Sequence, residues 1–404
     1  MARGPDLVAV YLRWIWARAV LHRGWWLVTS VYLVVEAGLS PARLVFIGIA
    51  QGVVSLLFEV PAGVVADTIG RRWSLLVSHV LMGTAMLATG LVSGFWPLVA
   101  TQTLWGLSWT FASGADVAWI TDELNDPARI STVLVRSGRA QLTGAAAGLV
   151  VVGGLGSLLS RGLAMVLAGA AMLLLGGYVG ARFHERRFVP APSRRWAASW
   201  SILLRGFALV RASRAILLMF AATFLVNGAA TAGRLFQLRL VSLGFPPEPV
   251  VWFTLLGVLT LLVGAVALRL AERRTGSSHG ALGGYSVACA AGALGLAGLA
   301  FAPDDVSGSA AVLLVAGIAM PLTRVIGTVW VNQHTTDAVR ATVHSFLAQA
   351  EYLGAIGCGV ALAAVADLAG LSAALVGGAV LFALTVAVVR RARTTARCAT
   401  APGS

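Results

Sequence analysis

Long apolar runs separated by short polar segments dominate this chain of 404 residues. Windows without any Asp, Glu, Lys or Arg cover residues 73–115, 140–160, 162–181, 215–233, 249–268, 280–303, 306–323 and 368–389. A helix needs about 20 apolar residues to cross the roughly 30 Å hydrocarbon core of a bilayer, and each window is about that long or longer. The pattern predicts an all-α integral membrane protein that crosses the bilayer many times.

We expect twelve transmembrane helices from this pattern. They are predicted near residues 11–36, 42–67, 73–93, 96–121, 128–157, 162–182, 213–240, 248–271, 279–302, 307–333, 338–366 and 371–391. Ser40-Pro41 and Asp126-Pro127 mark two of the helix starts, because a capping side chain stands before a proline whose missing N–H costs nothing at the first helical position.

The composition agrees with a membrane protein. Hydrophobic residues make up 58% of the chain and charged residues only 11%, whereas about a quarter of residues are charged in soluble domains. The net charge of +14 comes from arginines in alternate loops, which is the positive-inside pattern. It places both termini and the long central loop in the cytoplasm of a bacterial cell, with the chain in the inner membrane, and does not indicate nucleic-acid binding.

The sequence contains no signature of a metal, a cofactor or a disulfide framework. Cys289, Cys358 and Cys398 have no CxxC or metal-ligand spacing. Walker-type, HExxH and nucleophile-elbow motifs are also missing from the sequence. We therefore expect no cofactor, no resident metal, no ATP-driven pumping within this chain and no familiar hydrolytic enzyme.

Two weak internal echoes indicate a duplication. Gly38-Leu-Ser-Pro41 is echoed by Gly244-Phe-Pro-Pro247, and Asp126-Pro-Ala-Arg129 by Asp337-Ala-Val-Arg340, at offsets of 206 and 211 residues. The pattern predicts two pseudo-symmetric six-helix bundles in parallel orientation, with a substrate site between them. The bundles span residues 1–182 and 213–391, with a basic cytoplasmic linker at 183–212 and a basic tail at 392–404. The linker is either an interfacial helix or a plain connection.

A polar motif follows the second predicted helix. It reads Gly63-Val-Val-Ala-Asp67-Thr-Ile-Gly70-Arg71-Arg72. Gly63 permits close approach of a neighbouring backbone, and Gly70 permits the turn out of the helix. Asp67 is able to pair with Arg71 or to face the positive N-terminus of another helix. The motif resembles the cytoplasmic signature of the major facilitator superfamily, and with the twelve helices and the duplication this resemblance covers essentially the whole chain.

The resemblance implies a drug-exporter-like transporter that works as a single chain and in which the motif is a gating element. Drug–proton antiporters of the superfamily usually carry an arginine in helix 4 and a Gly-Pro signature in helix 5. Here helix 4 reads Thr101-Gln-Thr-Leu-Trp105-Gly-Leu-Ser-Trp109, and helix 5 reads Gly144-Ala-Ala-Ala-Gly148. The antiporter signatures of helices 4 and 5 are thus missing from this sequence, and the two glycines favour close helix packing.

Charged residues at membrane depth predict ion pairs, because each unpaired charge costs about 2.5–3.5 kcal/mol on insertion scales. Residue counts from the cytoplasmic turns place Asp116 and Arg136 at one level, so we expect Asp116 to pair with Arg136 or Arg139. The same count predicts a pair of Arg324 with Glu351.

These pairs have a structural and a functional interpretation. In the structural one the charges neutralise each other; in the functional one a carboxylate exchanges its partner for a proton or a cationic substrate. The structural interpretation is favoured for Asp116, whereas Glu351 is the best candidate for coupling. Glu59 lies in the inner half of the membrane, where it is predicted to pair with either Arg18 or Arg139.

A further group of residues is predicted to line the cavity. Two basic residues lie on the first helix, which borders the cavity in the superfamily, and suit an anionic substrate. Two tryptophans one turn apart on the fourth helix suit apolar or cationic ligands. The candidate cavity residues, with two polar residues of helix 7, are Arg18, His22, Trp105, Trp109, Asn227 and Arg234.

The expected function is export of a small lipophilic molecule, a drug or a metabolite, by alternating access, with proton antiport as one form of coupling. A proton-coupled importer of a sugar or an organic acid is the alternative. A membrane-embedded enzyme would need several polar catalytic groups at one level, and a receptor would be expected to add a signalling domain; neither feature appears. The expected partners are the substrate, a proton or another ion, and the lipid bilayer.

Overall fold

The computed structural model describes residues 7–188, 214–248, 250–272, 278–334 and 337–400, and this part of the chain contains helices and no strand. The first seven helices are α1 (Leu7–Val35), α2 (Pro41–Thr68), α3 (Arg71–Thr89), α4 (Phe95–Ala112), α5 (Ala115–Leu124), α6 (Pro127–Leu158) and α7 (Arg161–Arg182).

The remaining helices include two irregular turns. They are α8 (Arg214–Ala230), α9 (Phe236–Ser242), α10 (Val251–Glu272), α11 (Ser278–Phe301), α12 (Asp305–Val312), α13 (Met320–His334), α14 (Asp337–Ala369) and α15 (Leu371–Thr400). A 3₁₀ turn at Thr231–Leu235 joins α8 to α9, and a π turn at Leu313–Ala319 joins α12 to α13. Together, α8 and α9 correspond to the predicted segment 213–240, and α12 and α13 correspond to the predicted segment 307–333.

All twelve predicted segments are helical, but one prediction of continuity is wrong. The segment predicted as one helix at 96–121 is broken between α4 and α5 at Ser113 and Gly114. Gly114 has a φ of +72°, in the left-handed region that glycine adopts without a steric penalty. The break redirects the chain immediately before Asp116.

Nine of the helical segments in the described ranges are long and apolar enough to span a membrane. Segments outside this group are α1, α3, α4 and α5, which carry more polar residues or are shorter. In α1 the difference comes from Arg13, Arg18 and Arg23.

The chain forms two compact units. The first contains Met1–Leu39, Val53–Ala197 and Pro247–Val258, and the second contains Ser40–Gly52, Ala198–Pro246 and Leu259–Ser404. Helices α2 and α10 therefore contribute residues to both units. The predicted division of the chain stays a prediction, and most of the predicted linker, including its interfacial helix, lies outside the described residues.

Glycines bring α1 and α6 into close contact in the first unit. A Cβ atom on Gly148 would overlap the carbonyl oxygen of Val20, and one on Gly144 would lie 2.5 Å from that of Trp16. Gly24 faces the backbone of Gly148 in return. The predicted close packing at Gly144 and Gly148 is therefore confirmed, and a residue with a side chain fits at neither position.

The second unit repeats this packing. Gly354 of α14 faces the carbonyl oxygen of Phe224 in α8, and Gly228 faces Cys358 and the carbonyl oxygen of Gly354. Gly24 and Gly228 are 204 residues apart, and Gly148 and Gly354 are 206 apart. These offsets are close to the 206 and 211 residues of the sequence echoes, so the duplicated helices use the same contact in each unit.

A second packing contact is duplicated at one constant offset. In the first unit Gly169 of α7 packs against Leu87 of α3, and in the second Gly378 of α15 packs against Leu296 of α11. Each residue lies 209 positions before its counterpart. The pseudo-symmetry of the two six-helix bundles thus extends to individual side-chain contacts.

The packing predicts a specific effect of adding one methyl group. Gly148→Ala should lower the free energy of unfolding by about 1–3 kcal/mol, because α1 must move away from the new Cβ. Thermal unfolding of the purified protein in detergent measures the effect.

Gly154→Ala is the matched control on the same helix, since a Cβ there meets no described atom within 4 Å. It should leave the unfolding temperature unchanged or raise it slightly, as alanine favours helix. Equal losses in both variants would contradict the account of the α1–α6 contact.

Candidate functional site

The motif at the end of α2 forms an ion-pair cluster in the first unit. Asp67 accepts a charge-assisted hydrogen bond from Arg71, four residues later. The Nε atom of Arg71 also lies 3.4 Å from the carboxylate of Asp122, at the end of α5. Gly70 lies between α2 and α3 with a φ of +142°, which residues with a side chain rarely adopt. The cluster therefore fixes the α2–α3 turn against α5.

A carboxylate from a distant segment caps α3. The backbone N–H of Arg72 donates to Oε1 of Glu185, 2.8 Å away, and the Arg72 guanidinium donates to the carbonyl oxygen of Gly180. A Cβ on Gly70 would lie 2.5 Å from Oε2 of Glu185. The missing side chain at Gly70 thus makes room for this cap, which satisfies one of the unpaired N–H groups at the helix start.

One neighbouring contact extends the cluster. Oε1 of Glu123 accepts the backbone N–H groups of Arg186 and Arg187 at 2.8 and 3.0 Å. Sequence reasoning named neither Glu123 nor Glu185; for Glu185 the available signal was its position within an arginine-rich segment. At Gly63 no described atom lies within 4 Å of an added Cβ, so the close backbone approach expected there is not formed.

A buried arginine lies at the centre of the first unit's polar interior. Arg18 on α1 is 7% exposed. Its Cζ atom lies 4.7 Å from the centre of the Trp109 ring and 5.3 Å from that of Trp14. Its Nη1 atom lies 3.8 Å from Oδ2 of Asp116, whose side chain is 21% exposed. Arg18 is thus held by aromatic faces and by one long ion pair.

His22 extends this group by one turn of α1. Its ring is parallel to that of Trp105, with centroids 5.4 Å apart, and meets Trp109 edge-on at 4.9 Å. Trp26 stacks on the same Trp105 ring at 5.0 Å. We call Arg18, His22, Trp105, Trp109 and Asp116 the Arg18 cluster.

Several polar atoms of the Arg18 cluster have no hydrogen-bond partner within the described part of the protein. They are Nε and Nη2 of Arg18, Nε2 of His22, and Nε1 of Trp105 and Trp109. A buried polar group without a partner costs about 1–3 kcal/mol. Unpaired polar groups concentrated in one place indicate a ligand-binding site rather than an ordinary region of the core.

Another buried arginine joins three segments of the first unit at the end opposite the motif. Arg161, at the start of α7, is 6% exposed. It donates from Nε to Oε1 of Glu36, 2.6 Å away, and from Nη1 to Glu248. Sequence reasoning did not identify Arg161; its position between two apolar helices was the only signal.

The predicted polar residues of helix 7 lie in the second unit. Arg234 is part of the 3₁₀ turn and donates from Nη2 to the side-chain oxygen of Gln51. A Cβ on Gly48 would overlap the Arg234 side chain. Asn227 donates to the carbonyl oxygen of Thr223, 2.9 Å away on its own helix.

Comparison with known proteins decides the family. A family model described as the Major Facilitator Superfamily matches residues 19–359. The chain belongs to the Major Facilitator Superfamily. It is accordingly a multi-pass membrane transporter, and the resemblance read from the Asp67 motif is confirmed. The search of curated proteins finds no match.

Solved transporters share the superfamily fold over almost the whole chain. A nucleoside transporter, NupG, is 15% identical with a TM-score of 0.74, over 96% of this chain and 99% of that one. A POT family transporter in complex with 5-aminolevulinic acid is 13% identical with a TM-score of 0.71, over 98% and 97%. The human organic anion transporter MFSD10 is 17% identical with a TM-score of 0.62, over 96% and 100%. At these identities the likeness shows the fold alone.

The predicted partner of Asp116 was wrong. Asp116 pairs with Arg18, whereas Arg136 and Arg139 are exposed on α6 and belong to none of the ion pairs between described residues. The prediction compared depth alone, and depth does not decide which neighbouring helix a side chain faces. Asp116 faces α1, whereas Arg136 and Arg139 point outward from α6.

The other predicted charge positions are also not paired as expected. Arg324 is exposed, and none of the ion pairs between described residues joins it to Glu351. Oε1 of Glu59 accepts a hydrogen bond from the Ser113 hydroxyl, 3.0 Å away at the helix break. Of the predicted cavity residues, the structure brings together the four in the first unit, which are Arg18, His22, Trp105 and Trp109.

A double-mutant cycle tests the observed pair. Asp116→Asn should lower the free energy of unfolding by about 1–3 kcal/mol, since it leaves a buried donor of Arg18 without its carboxylate. Adding Arg18→Gln should recover part of the loss, with a coupling energy of about 1 kcal/mol or more. Thermal unfolding of the four proteins in detergent gives the result.

Arg136→Gln supplies the control for this cycle. Combined with Asp116→Asn it should give an additive loss, because Arg136 does not contact Asp116. Coupling of Asp116 to Arg136 that matches its coupling to Arg18 would show that the original depth count was right.

Proposed function

We propose that this chain exports a small, largely lipophilic molecule across the bacterial inner membrane by alternating access. The observation that supports the substrate class is the Arg18 cluster, in which flat rings of Trp105, Trp109 and His22 surround unpaired polar atoms. Binding sites for small ligands are mostly apolar with a few well-placed polar groups. The direction of transport rests on the resemblance of the Asp67 motif to that of drug exporters.

Proton antiport is the proposed coupling. Asp116 lies beside the residues proposed to bind substrate, and its ion pair with Arg18 is long at 3.8 Å. A carboxylate that exchanges such a partner for a proton would link proton movement to the site. Glu351 in the second unit remains the other candidate carrier, as the sequence predicts.

An importer is the second candidate function. The solved transporters of the same fold include one for nucleosides and one bound to 5-aminolevulinic acid. The unpaired edge of Arg18 would suit an organic acid moving inwards equally well. The two candidates move their substrate in opposite directions, so a measurement in vesicles of defined orientation separates them.

The transport test uses inverted membrane vesicles energised to an acidic interior. Lipophilic cations, antibiotics and aromatic acids are added one at a time, and proton flux and compound uptake are followed with and without the protein. Export predicts uptake of a compound into these vesicles together with proton release. Uptake only into right-side-out vesicles would establish the importer instead.

Replacing one aromatic ring tests the site. Trp105→Ala should raise the KM of the transported compound about tenfold, because stacking on such a ring contributes about 0.5–1.5 kcal/mol beyond its buried area. Trp96→Ala is the control, since Trp96 is 68% exposed. An unchanged KM in Trp105→Ala would remove the Arg18 cluster from the substrate site.

We propose further that Arg161 closes the end opposite the motif. Glu36 and Arg161 both belong to the predicted first bundle, whereas Glu248 belongs to the predicted second bundle although it packs in the first unit. If the bundles part at this end during the cycle, only the contact of Arg161 with Glu248 must break.

Glu248→Gln should therefore favour the state that is open at this end, whereas Glu36→Gln should not. The readout is the labelling rate of Ile49→Cys by a membrane-impermeant maleimide in a chain whose native cysteines are serine. Ile49 packs against Gly359 and should label faster only with Glu248→Gln. Equal rates in both variants would show that Arg161 has only a structural role.

A further inference from the structure

The guanidinium of Arg18 presents one edge without a protein partner. Nε and Nη2 lie side by side on that edge, and both are buried without a hydrogen-bond acceptor among the described residues. Asp116 approaches a different nitrogen, Nη1. The Nε–Nη2 edge is a rigid fork that matches the two oxygens of a carboxylate.

The other unpaired atoms of the cluster have the same preference. The indole nitrogens of Trp105 and Trp109 only donate hydrogen bonds, and Nε2 of His22 donates in one of its tautomers. The site therefore offers donors and requires a ligand with acceptors. A cationic ligand would instead meet the charge of Arg18, which a carboxylate at 3.8 Å only partly neutralises.

The rings define the rest of the ligand. Trp105 lies parallel to His22, and Trp109 stands nearly perpendicular to Trp105 at a centroid distance of 5.9 Å, with its face toward Arg18. Flat aromatic surfaces grouped around one guanidinium favour a ligand with a planar aromatic body.

We propose that the Arg18 cluster binds a planar aromatic acid, with both carboxylate oxygens on Nε and Nη2 of Arg18 and the ring against the aromatic side chains of the cluster. This assignment rests on the transport function proposed above and names the substrate class of that site. Asp116 competes for the same guanidinium, so removal of its charge strengthens binding of the acid.

Calorimetric titration of the purified full-length protein in detergent tests the assignment. The probes share one ring system and differ in charge: 2-naphthoate, its neutral amide 2-naphthamide, and the cation 2-naphthylmethylammonium. Wild-type protein should bind the acid at least tenfold more tightly than the amide, since hydrogen bonds to a charged group are the stronger kind.

Variants of the two charged residues make the test specific. Arg18→Gln should abolish the preference for the acid over the amide. Asp116→Asn should increase affinity for the acid severalfold. Arg13→Gln, an exposed arginine on the same helix, should bind all three probes like wild type. Because Asp116→Asn predicts a gain, the proposal stays testable even if Arg18→Gln fails to fold.

Several results would overturn the proposal: equal affinity for acid and amide, tightest binding of the cation, no binding of any probe, or unchanged affinity for the acid in Asp116→Asn. A failure of the proposed transport function would give different results. Arg18-dependent binding of 2-naphthoate without uptake in either vesicle orientation would contradict transport and retain the site. Transport of neutral compounds by a protein that does not distinguish the three probes would contradict the proposed binding site and retain the transport function.

Discussion

The buried charge of Arg18 is the constraint on which the first unit's interior depends. An arginine at membrane depth costs about 2.5–3.5 kcal/mol on insertion scales unless a neighbour compensates it. Here compensation comes from Asp116 at 3.8 Å and from the faces of Trp109 and Trp14. Asp116 follows directly on the break at Gly114. The charge, the break and the rings thus form one arrangement.

Glycine packing holds this arrangement in place. Gly144 and Gly148 set α6 directly against the backbone of α1 near Trp16 and Val20, which lie two positions before and after Arg18. The same contact between α8 and α14 at equivalent offsets shows that the duplicated unit carries its packing with it. What the copies do not share is the polar interior. Arg18 lies among tryptophans, whereas Arg234 bonds to Gln51.

The sequence was sufficient for the fold because membrane-spanning helices are specified locally. Their length, their apolar content and caps such as Ser40-Pro41 and Asp126-Pro127 are visible without any tertiary information. The Asp67 motif, a local feature too, likewise indicated the family, which the family model confirms. The clustering of Arg18, His22, Trp105 and Trp109 followed from helices that border the cavity in that family.

Contacts between distant segments could not be predicted from the sequence. The count that paired Asp116 with Arg136 compared depth alone, and depth does not decide which neighbouring helix a side chain faces. The cap of Glu185 on α3 and the contacts of Arg161 join residues more than 80 positions apart, which no local pattern indicates. Such long-range polar contacts depend on tertiary packing that only the folded chain defines.

The central claim is that substrate binds within the first unit at the Arg18 cluster. Photolabelling with an aryl azide derivative of a transported compound, followed by peptide mapping, tests it most directly. The account predicts label on the peptides of α1 and α4 that contain His22 and Trp105, and loss of that label when the unmodified compound competes. Label confined to helices of the second unit would contradict it.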